Sequence, residues 1–189
     1  QREYMVNCDP FDAFAFYQGV EADSIICNHN EVEEYVKFYK NQKLTQFRQE
    51  IAHSSSEKVT LSLLTKQGDV GYGSGINWGI RRNGTKREPN QAYISVPSKI
   101  ARSGFFPLGK THFSAITDDH KQLIFRIEQD NNKALTTPLN NSLLGEYLRN
   151  RIGVANGAFI NKADLERYGR TDVTFYKIDD EQFFMDFSV

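Results

Sequence analysis

Arg81, Arg82, Lys86 and Arg87 fall within one short stretch and face a single acidic neighbour, Glu88. They end a segment, Lys66 to Asn90, that has glycines at 68, 71, 73, 75, 79 and 84 and no alternating apolar pattern. An arginine fork can meet O6 and N7 of guanine together, and an Asn or Gln amide can do the same for adenine. Asn83, Asn90 and Gln91 lie beside these arginines. For any one residue a solvated basic loop explains the pattern equally well. For the cluster, contact with DNA explains it better. Loops longer than about 12–15 residues without structure of their own are uncommon in compact domains and are usually functional or disordered. Trp78 is the only tryptophan. It is expected to pack the root of this loop onto the core rather than to stack on a ligand.

A second polar run spans Gln129 to Ser142 and is nearly all amide, hydroxyl and lysine. Gln129, Asp130, Asn131, Asn132, Lys133, Thr136, Thr137, Asn140 and Asn141 offer donors and acceptors for phosphates and base edges. Asp130 suits a cytosine amino group, although an Asp before Asn-Asn more often caps a turn. The run leads into a helical segment with Arg149 and Arg151. Two positions apart on a helix, they point different ways, so one can meet phosphate while the other supports the loop from below.

Catalytic patterns are weak. None of the histidines, His29, His53, His112 and His120, begins a His-x-Lys, the nucleophile and phosphate-binding pair of phospholipase-D chemistry. No Glu-x-Lys occurs, and the single Asp-x-Lys, Asp119-His120-Lys121, falls on an expected hairpin turn. There is no phosphate-binding Walker loop, zinc pattern or Gly-x-Ser-x-Gly. Asp118, Asp119, Asp179, Asp180 and Glu181 could form a carboxylate set for a metal, but solvated turns explain them better. Cys8 and Cys27 are too few for a disulfide framework and lack zinc-site spacing. They read as reduced cytosolic thiols. No catalytic residue, metal or cofactor is therefore expected.

The elements that must hold these loops are short. Strands are expected over Val59–Thr65, Gln91–Val96 and Val154–Ile160, with hairpins from Thr111–Thr117 to Lys121–Glu128 and from Val173–Ile178 to Gln182–Phe187. Short helices are expected over Ser98–Arg102, in the second half of 140–151, and over Lys162–Tyr168, opened by Asn161 and closed by Gly169. Many short strands with few helices give a mainly β chain, expected to form a β-barrel. With 39% hydrophobic and 13% aromatic residues the chain can build a real core. No apolar run reaches the roughly 20 residues of a membrane span, and no signal peptide opens it.

The net charge of −1 conceals an asymmetry. Residues 1–58 hold 6 Lys/Arg against 10 Asp/Glu, and residues 59–189 hold 17 against 14. A local basic patch matters more to phosphate binding than the total. The first 58 residues contain one helix candidate, Glu31 to His53, and a joint at Ser54-Ser55-Ser56. They read as an appendage: a linker, or the tail of an upstream domain. The chain begins at Gln1 with its first Met at 5, which suggests a piece of something longer.

Several segments in order carry a resemblance: Ser74-Gly-Ile-Asn-Trp-Gly79, Arg87-Glu-Pro-Asn-Gln-Ala-Tyr-Ile94, Leu144-Gly-Glu-Tyr-Leu-Arg-Asn-Arg-Ile-Gly153, Tyr168-Gly-Arg-Thr-Asp-Val173, Phe175-Tyr-Lys-Ile-Asp179 and Met185-Asp-Phe-Ser188. Residues 59–189 resemble the C-terminal part of the NgoFVII/NgoAVII-type restriction endonucleases. The resemblance implies a B3-like, seven-stranded open β-barrel (a pseudobarrel) with short flanking helices. Its two arms would grip the major groove of double-stranded DNA at a short specific site. Residues 66–91 would be one arm and 129–151 the other, with Arg81, Arg82, Asn83, Lys86, Arg87, Asn90, Gln91, Gln129 through Lys133, Thr136, Thr137, Asn140, Asn141, Arg149 and Arg151 as contact residues. Cutting would belong to an upstream phospholipase-D-like nuclease domain of the parent protein, in the bacterial cytoplasm, since its His-x-Lys has no counterpart here. Two other readings remain open: a nuclease site of unfamiliar type in this chain, or a protein-interaction module of a restriction system.

Overall fold

A computed structural model of the chain describes residues 57–81 and 87–189. The helix expected over Glu31–His53, the Ser54–Ser56 joint and the loop residues Arg82, Asn83 and Lys86 lie outside the described residues.

Seven strands form one sheet in the order β1-β6-β7-β3-β4-β5-β2. They are β1 Lys58–Ser62, β2 Ile94–Ser95, β3 His112–Thr117, β4 Gln122–Glu128, β5 Ala134–Thr136, β6 Asp172–Lys177 and β7 Gln182–Asp186. All neighbours pair antiparallel except β3 with β7, which are parallel. The two outermost strands, β1 and β2, approach one another, so the sheet curls into a nearly closed barrel. Three short helices attach to it: α1 Ser98–Ala101, α2 Leu143–Ile152 and α3 Lys162–Tyr168.

Strand patterning follows from side chains alternating across a pleated sheet. In β3 and β4 every second residue is buried, placing Phe113 and Ala115 opposite Phe125 and Leu123. Phe105, Phe106, Phe113, Phe125, Phe175 and Phe183 fill the barrel as an aromatic cluster with centroids 4.8 to 6.0 Å apart. Each fully buried ring contributes about 1.5–3 kcal/mol of transfer free energy. Helix α3 begins as its sequence indicates. The Asn161 side chain accepts from the Asp164 amide, the Asp164 carboxylate accepts from the Asn161 amide, and the helix ends at Gly169.

Two expectations fail locally. Residues 154–160 form turns rather than a strand, because side chains from distant segments take up their backbone groups. Conversely, the polar run 129–142 contains strand β5, whose Leu135 is fully buried opposite Ile94 and Ile127. That single apolar pair, Ala134-Leu135, is too short to register as a strand by periodicity.

Candidate nucleic-acid interface

The long loop between β1 and β2 is pinned at its root by a buried amide. A single 3-10 turn, Gly75–Asn77, places Asn77 fully inside. Its Nδ2 donates to the Ile160 carbonyl at 2.8 Å and its Oδ1 accepts from the Ile160 amide at 2.9 Å. One side chain thus substitutes for a strand partner of residue 160, and so leaves no unpaired backbone there. Arg149, from α2, is also fully buried and completes the hub. It donates to the carbonyls of Ala158 at 2.8 Å and Gly145 at 3.1 Å, and at longer range to Asn77 Oδ1 and the Pro89 carbonyl. Among the described residues no carboxylate pairs with it, and burial lowers its pKa from the ordinary value.

Close backbone approach tightens the same root. Gly79 donates its amide to the Gln91 carbonyl at 2.8 Å, and a Cβ there would lie 2.1 Å from the Glu88 carbonyl. A Cβ on Gly145 would lie 1.8 Å from the Asn90 carbonyl, so α2 touches the loop backbone directly. Asn90 is buried, and its Oδ1 accepts from the Gly157 amide at 2.7 Å. Trp78 meets Tyr93 edge-on at 5.8 Å, and the Arg87 guanidinium lies 4.4 Å over its ring. The tryptophan therefore sits at the loop root and holds an arginine over its ring. Arg81 is exposed, and Gln91 is half-buried.

The second polar run is divided by β5 into two places. Thr136 and Thr137 are buried, and Thr137 Oγ1 donates to the Asn140 carbonyl at 2.7 Å. The Asn141 carbonyl accepts from the Ala92 amide at 3.2 Å. Residues 137–141 thus sit against the root of the first loop, with Asn140 exposed and Asn141 half-buried. The turn 129–133 sits at the opposite end of the β2–β5 pair, where the Val96 amide donates to the Lys133 carbonyl at 2.8 Å. A three-residue strand spans roughly 10 Å, which separates the two places. Gln129, Asn131 and Asn132 hold φ of 66°, 61° and 56°, a left-handed geometry that Asn tolerates better than most residues. Gln129, Asp130, Asn131 and Lys133 are exposed, and Asn132 is half-buried.

Arg151 points away from Arg149, as helical spacing requires, but it too is committed. It forms a two-pronged pair with Asp118 at 3.0 and 2.6 Å, and donates to the Tyr147 and Tyr168 hydroxyls and the Phe187 carbonyl. Burial works against its charge, yet the bond to Asp118 and the surrounding acceptors hold its pKa above the ordinary range. Asp118 is not a solvated turn residue: its side chain is 6% exposed and also accepts from the Phe187 amide. Asp119 accepts from Thr117 and Tyr147, Asp179 caps its own hairpin, and Asp180 pairs with Lys177. Each of these carboxylates thus has a structural partner.

The geometry sorts the sequence candidates. Asn90, Thr136, Thr137, Arg149 and Arg151 face inward and position the loops. Arg81, Gln129, Asp130, Asn131, Lys133 and Asn140 are open to a ligand, with Arg87, Gln91, Asn132 and Asn141 partly so. Asn77, the centre of the hub, carries no sequence signal of its role. Nothing in a Gly-Ile-Asn-Trp-Gly run distinguishes a buried amide from a loop amide.

Fold and site together define a mainly β binding module whose cationic and amide-bearing loops flank one short strand pair. The chain belongs to the family of the NgoFVII C-terminal B3-like DNA-binding domain, whose family model matches residues 51–179, more than half of the chain. It thus carries a B3-like DNA-binding domain of a restriction enzyme, and the curled seven-stranded sheet is its pseudobarrel. The match begins ahead of β1 and ends before β7. Comparison with curated proteins found no match. Among the described residues no helix is long and apolar enough to cross a membrane.

Proposed function

We propose that this domain reads a short sequence in the major groove of double-stranded DNA and serves as the target-recognition part of a restriction endonuclease. An upstream phospholipase-D-like nuclease domain of the parent protein, in the bacterial cytoplasm, would carry out cleavage. Residues 59–189 would form the recognition domain, and 1–58 the linker or nuclease tail.

The observation that carries this reading is the placement of open polar side chains at both ends of the β2–β5 pair. Arg81, Arg87, Gln91 and Asn140 cluster at one end, where Arg82, Asn83 and Lys86 continue the same loop in sequence. Gln129 to Lys133 occupy the other. Their separation of roughly 10 Å is comparable to the width of the major groove, about 12 Å. The anchored residues beneath would hold the loops in place, reducing the ordering cost on binding. Arg87, held over the Trp78 ring, can reach guanine from the half-buried side of the loop, and Gln91 and Asn140 suit adenine.

Selection of bound sequences from random duplexes tests the reading. A defined motif of a few base pairs is expected. Replacing Arg81, Arg82 and Arg87 together by Ala should then abolish preference for that motif, each bidentate base contact being worth on the order of 1–3 kcal/mol. An unenriched pool, or a triple variant with undiminished preference, overturns it. Magnesium-independent or magnesium-dependent cutting by the chain alone would favour the nuclease alternative.

A further inference from the structure

At the turn end of the β2–β5 pair the chain forms a polar cleft of about 360 Å³ between α1 and the turn, lined by Ser98, Ala101, Arg102, Asn131, Asn132 and Lys133. We infer that this cleft holds a backbone phosphodiester of the bound duplex, outside the bases being read, with Arg102 and Lys133 as its two cationic walls. The inference rests on the DNA-reading function proposed above and adds Arg102 and Ser98, which neither loop contains.

Three features point to this ligand. Arg102 and Lys133 are both exposed, and neither side chain is bonded or ion-paired to any described residue. Several other cations are committed within the fold, Arg126 on Glu128, Arg167 on Asp164, Arg170 on Asp172 and Asp186, and Lys177 on Asp180, whereas Lys66, Arg81, Lys99 and Lys110 are exposed and, like this pair, bind no described residue. Second, the remaining polar lining consists of two amides and a hydroxyl, which can donate to phosphate oxygens. Asp130 is the nearest acidic residue in sequence and does not line the cleft. Third, the cleft's position is fixed by the sheet. The Val96 amide bonds the Lys133 carbonyl and the Ala101 amide bonds the Pro97 carbonyl, so α1 and the turn extend from one strand pair. A duplex laid across both ends of that pair would set its backbone at this wall.

An open cleft of this kind should hold a free phosphate ion only weakly, since attraction between exposed charges is screened by water and salt. On a duplex already held by the reading loops, the same contacts become intramolecular and count fully. Phosphate contacts position a protein without carrying sequence information, so the cleft should raise affinity equally for all sequences.

The test uses the whole chain with the selected duplex and a scrambled one, titrated by fluorescence anisotropy at several salt concentrations. Arg102→Ala with Lys133→Ala should reduce the slope of log affinity against log salt by roughly 0.9 for each phosphate that is no longer neutralised. Affinity for both duplexes should fall by the same factor, with unchanged thermal stability, and Arg102→Lys with Lys133→Arg should restore the slope. An unchanged slope in the double Ala variant overturns the cleft and leaves the reading loops standing. A selective weakening on the chosen sequence also overturns it, by showing base contact instead. Wild-type protein that binds neither duplex overturns the DNA reading and the cleft with it. In a parallel titration with inorganic phosphate, the backbone amide signals of Asn131, Asn132 and Lys133 should not saturate below the millimolar range. Saturation there would mark a free-anion site and overturn the phosphodiester assignment.

Discussion

The two ends of the β2–β5 pair both carry open side chains but differ in what lies beneath them. At the loop-root end, Asn77, Asn90 and Arg149 are buried, and their polar atoms meet backbone groups of residues 157–160, with Arg149 also reaching the Gly145 carbonyl. At the turn end, Arg102, Asn131 and Lys133 are exposed and their side chains bind no described residue. Residue type does not separate them, since both ends use arginine and asparagine. Burial does. A buried polar group is costly unless paired, so it acts as a rigid brace. An exposed one contributes little to folding and keeps its donors available. A polar residue in a recognition loop therefore has one of two jobs, and it holds shape only where the protein has already used its hydrogen bonds.

The sharpest way to break this contrast is Arg149→Ala. It would remove the donor to the Ala158 and Gly145 carbonyls and leave a cavity under the loop. Each buried carbonyl left without its donor costs about 1–3 kcal/mol, so a loss of about 2–5 kcal/mol is expected with the cavity included. Chemical denaturation should show a midpoint shift of that size. Arg149→Lys should rescue only part of it, because an ammonium cannot span carbonyls on several sides as a planar fork does. Full stability of the Lys variant would show that the fork is not the brace.

Next in size is Gly145→Ala. The added Cβ would collide with the Asn90 carbonyl, so α2 and the loop must separate. Overpacking of this kind costs about 1–3 kcal/mol, and here it should also weaken DNA binding by displacing the reading loop. A variant that loses stability yet keeps its affinity would mean that the root does not set the loop's position.

A smaller effect separates two braces that share one helix. Arg149 leans on carbonyls, whereas Arg151 leans on Asp118 and Asp119. Only the second should respond to acid. Burial raises the Asp119 pKa, but the hydrogen bond from Thr117 and the charge of Arg151 outweigh it, so the carboxyl titrates below its ordinary 3.8. A depressed folded pKa means that the unfolded chain binds the proton more readily. The stability it contributes is therefore complete above the ordinary value and is lost as pH falls through the depressed one. Asp119→Asn should cost about 1.5 kcal/mol at neutral pH, as expected for bonds to a charged group. It should also flatten the fall in stability below about pH 4. An equally steep acid profile in the variant would place the acid sensitivity elsewhere, with Asp186 next in line.

Much of this architecture is legible in the sequence. Both hairpins, the Asn161-capped helix and the seven-stranded barrel class follow from alternation, turn residues and the family resemblance. What the sequence conceals is which polar residues turn inward. Arg149 and Arg151 look alike as loop-flanking cations, yet both are enclosed, because α2 packs one side on the loop and the other on the hairpin at Asp118. The strand expected at 154–160 is absent because amides and a guanidinium from distant segments take its backbone bonds. Such long-range pairing has no local signature. Arg102 is hidden for the converse reason: a lone arginine after a four-residue helix shows nothing until the 131–133 turn is folded beside it.

The smallest expected effect is the most informative about the open end. Arg102→Ala and Lys133→Ala remove exposed side chains with no bonded partner among the described residues. Surface substitutions of this kind usually stay within about 0.5 kcal/mol, so each denaturation midpoint should coincide with wild type. Unchanged stability, set beside the weaker salt-dependent affinity expected of the same variants, separates a ligand-facing cation from a brace. A destabilisation of more than about 1 kcal/mol in either variant would mean that the turn end is anchored like the loop root. The contrast between the two ends would then collapse.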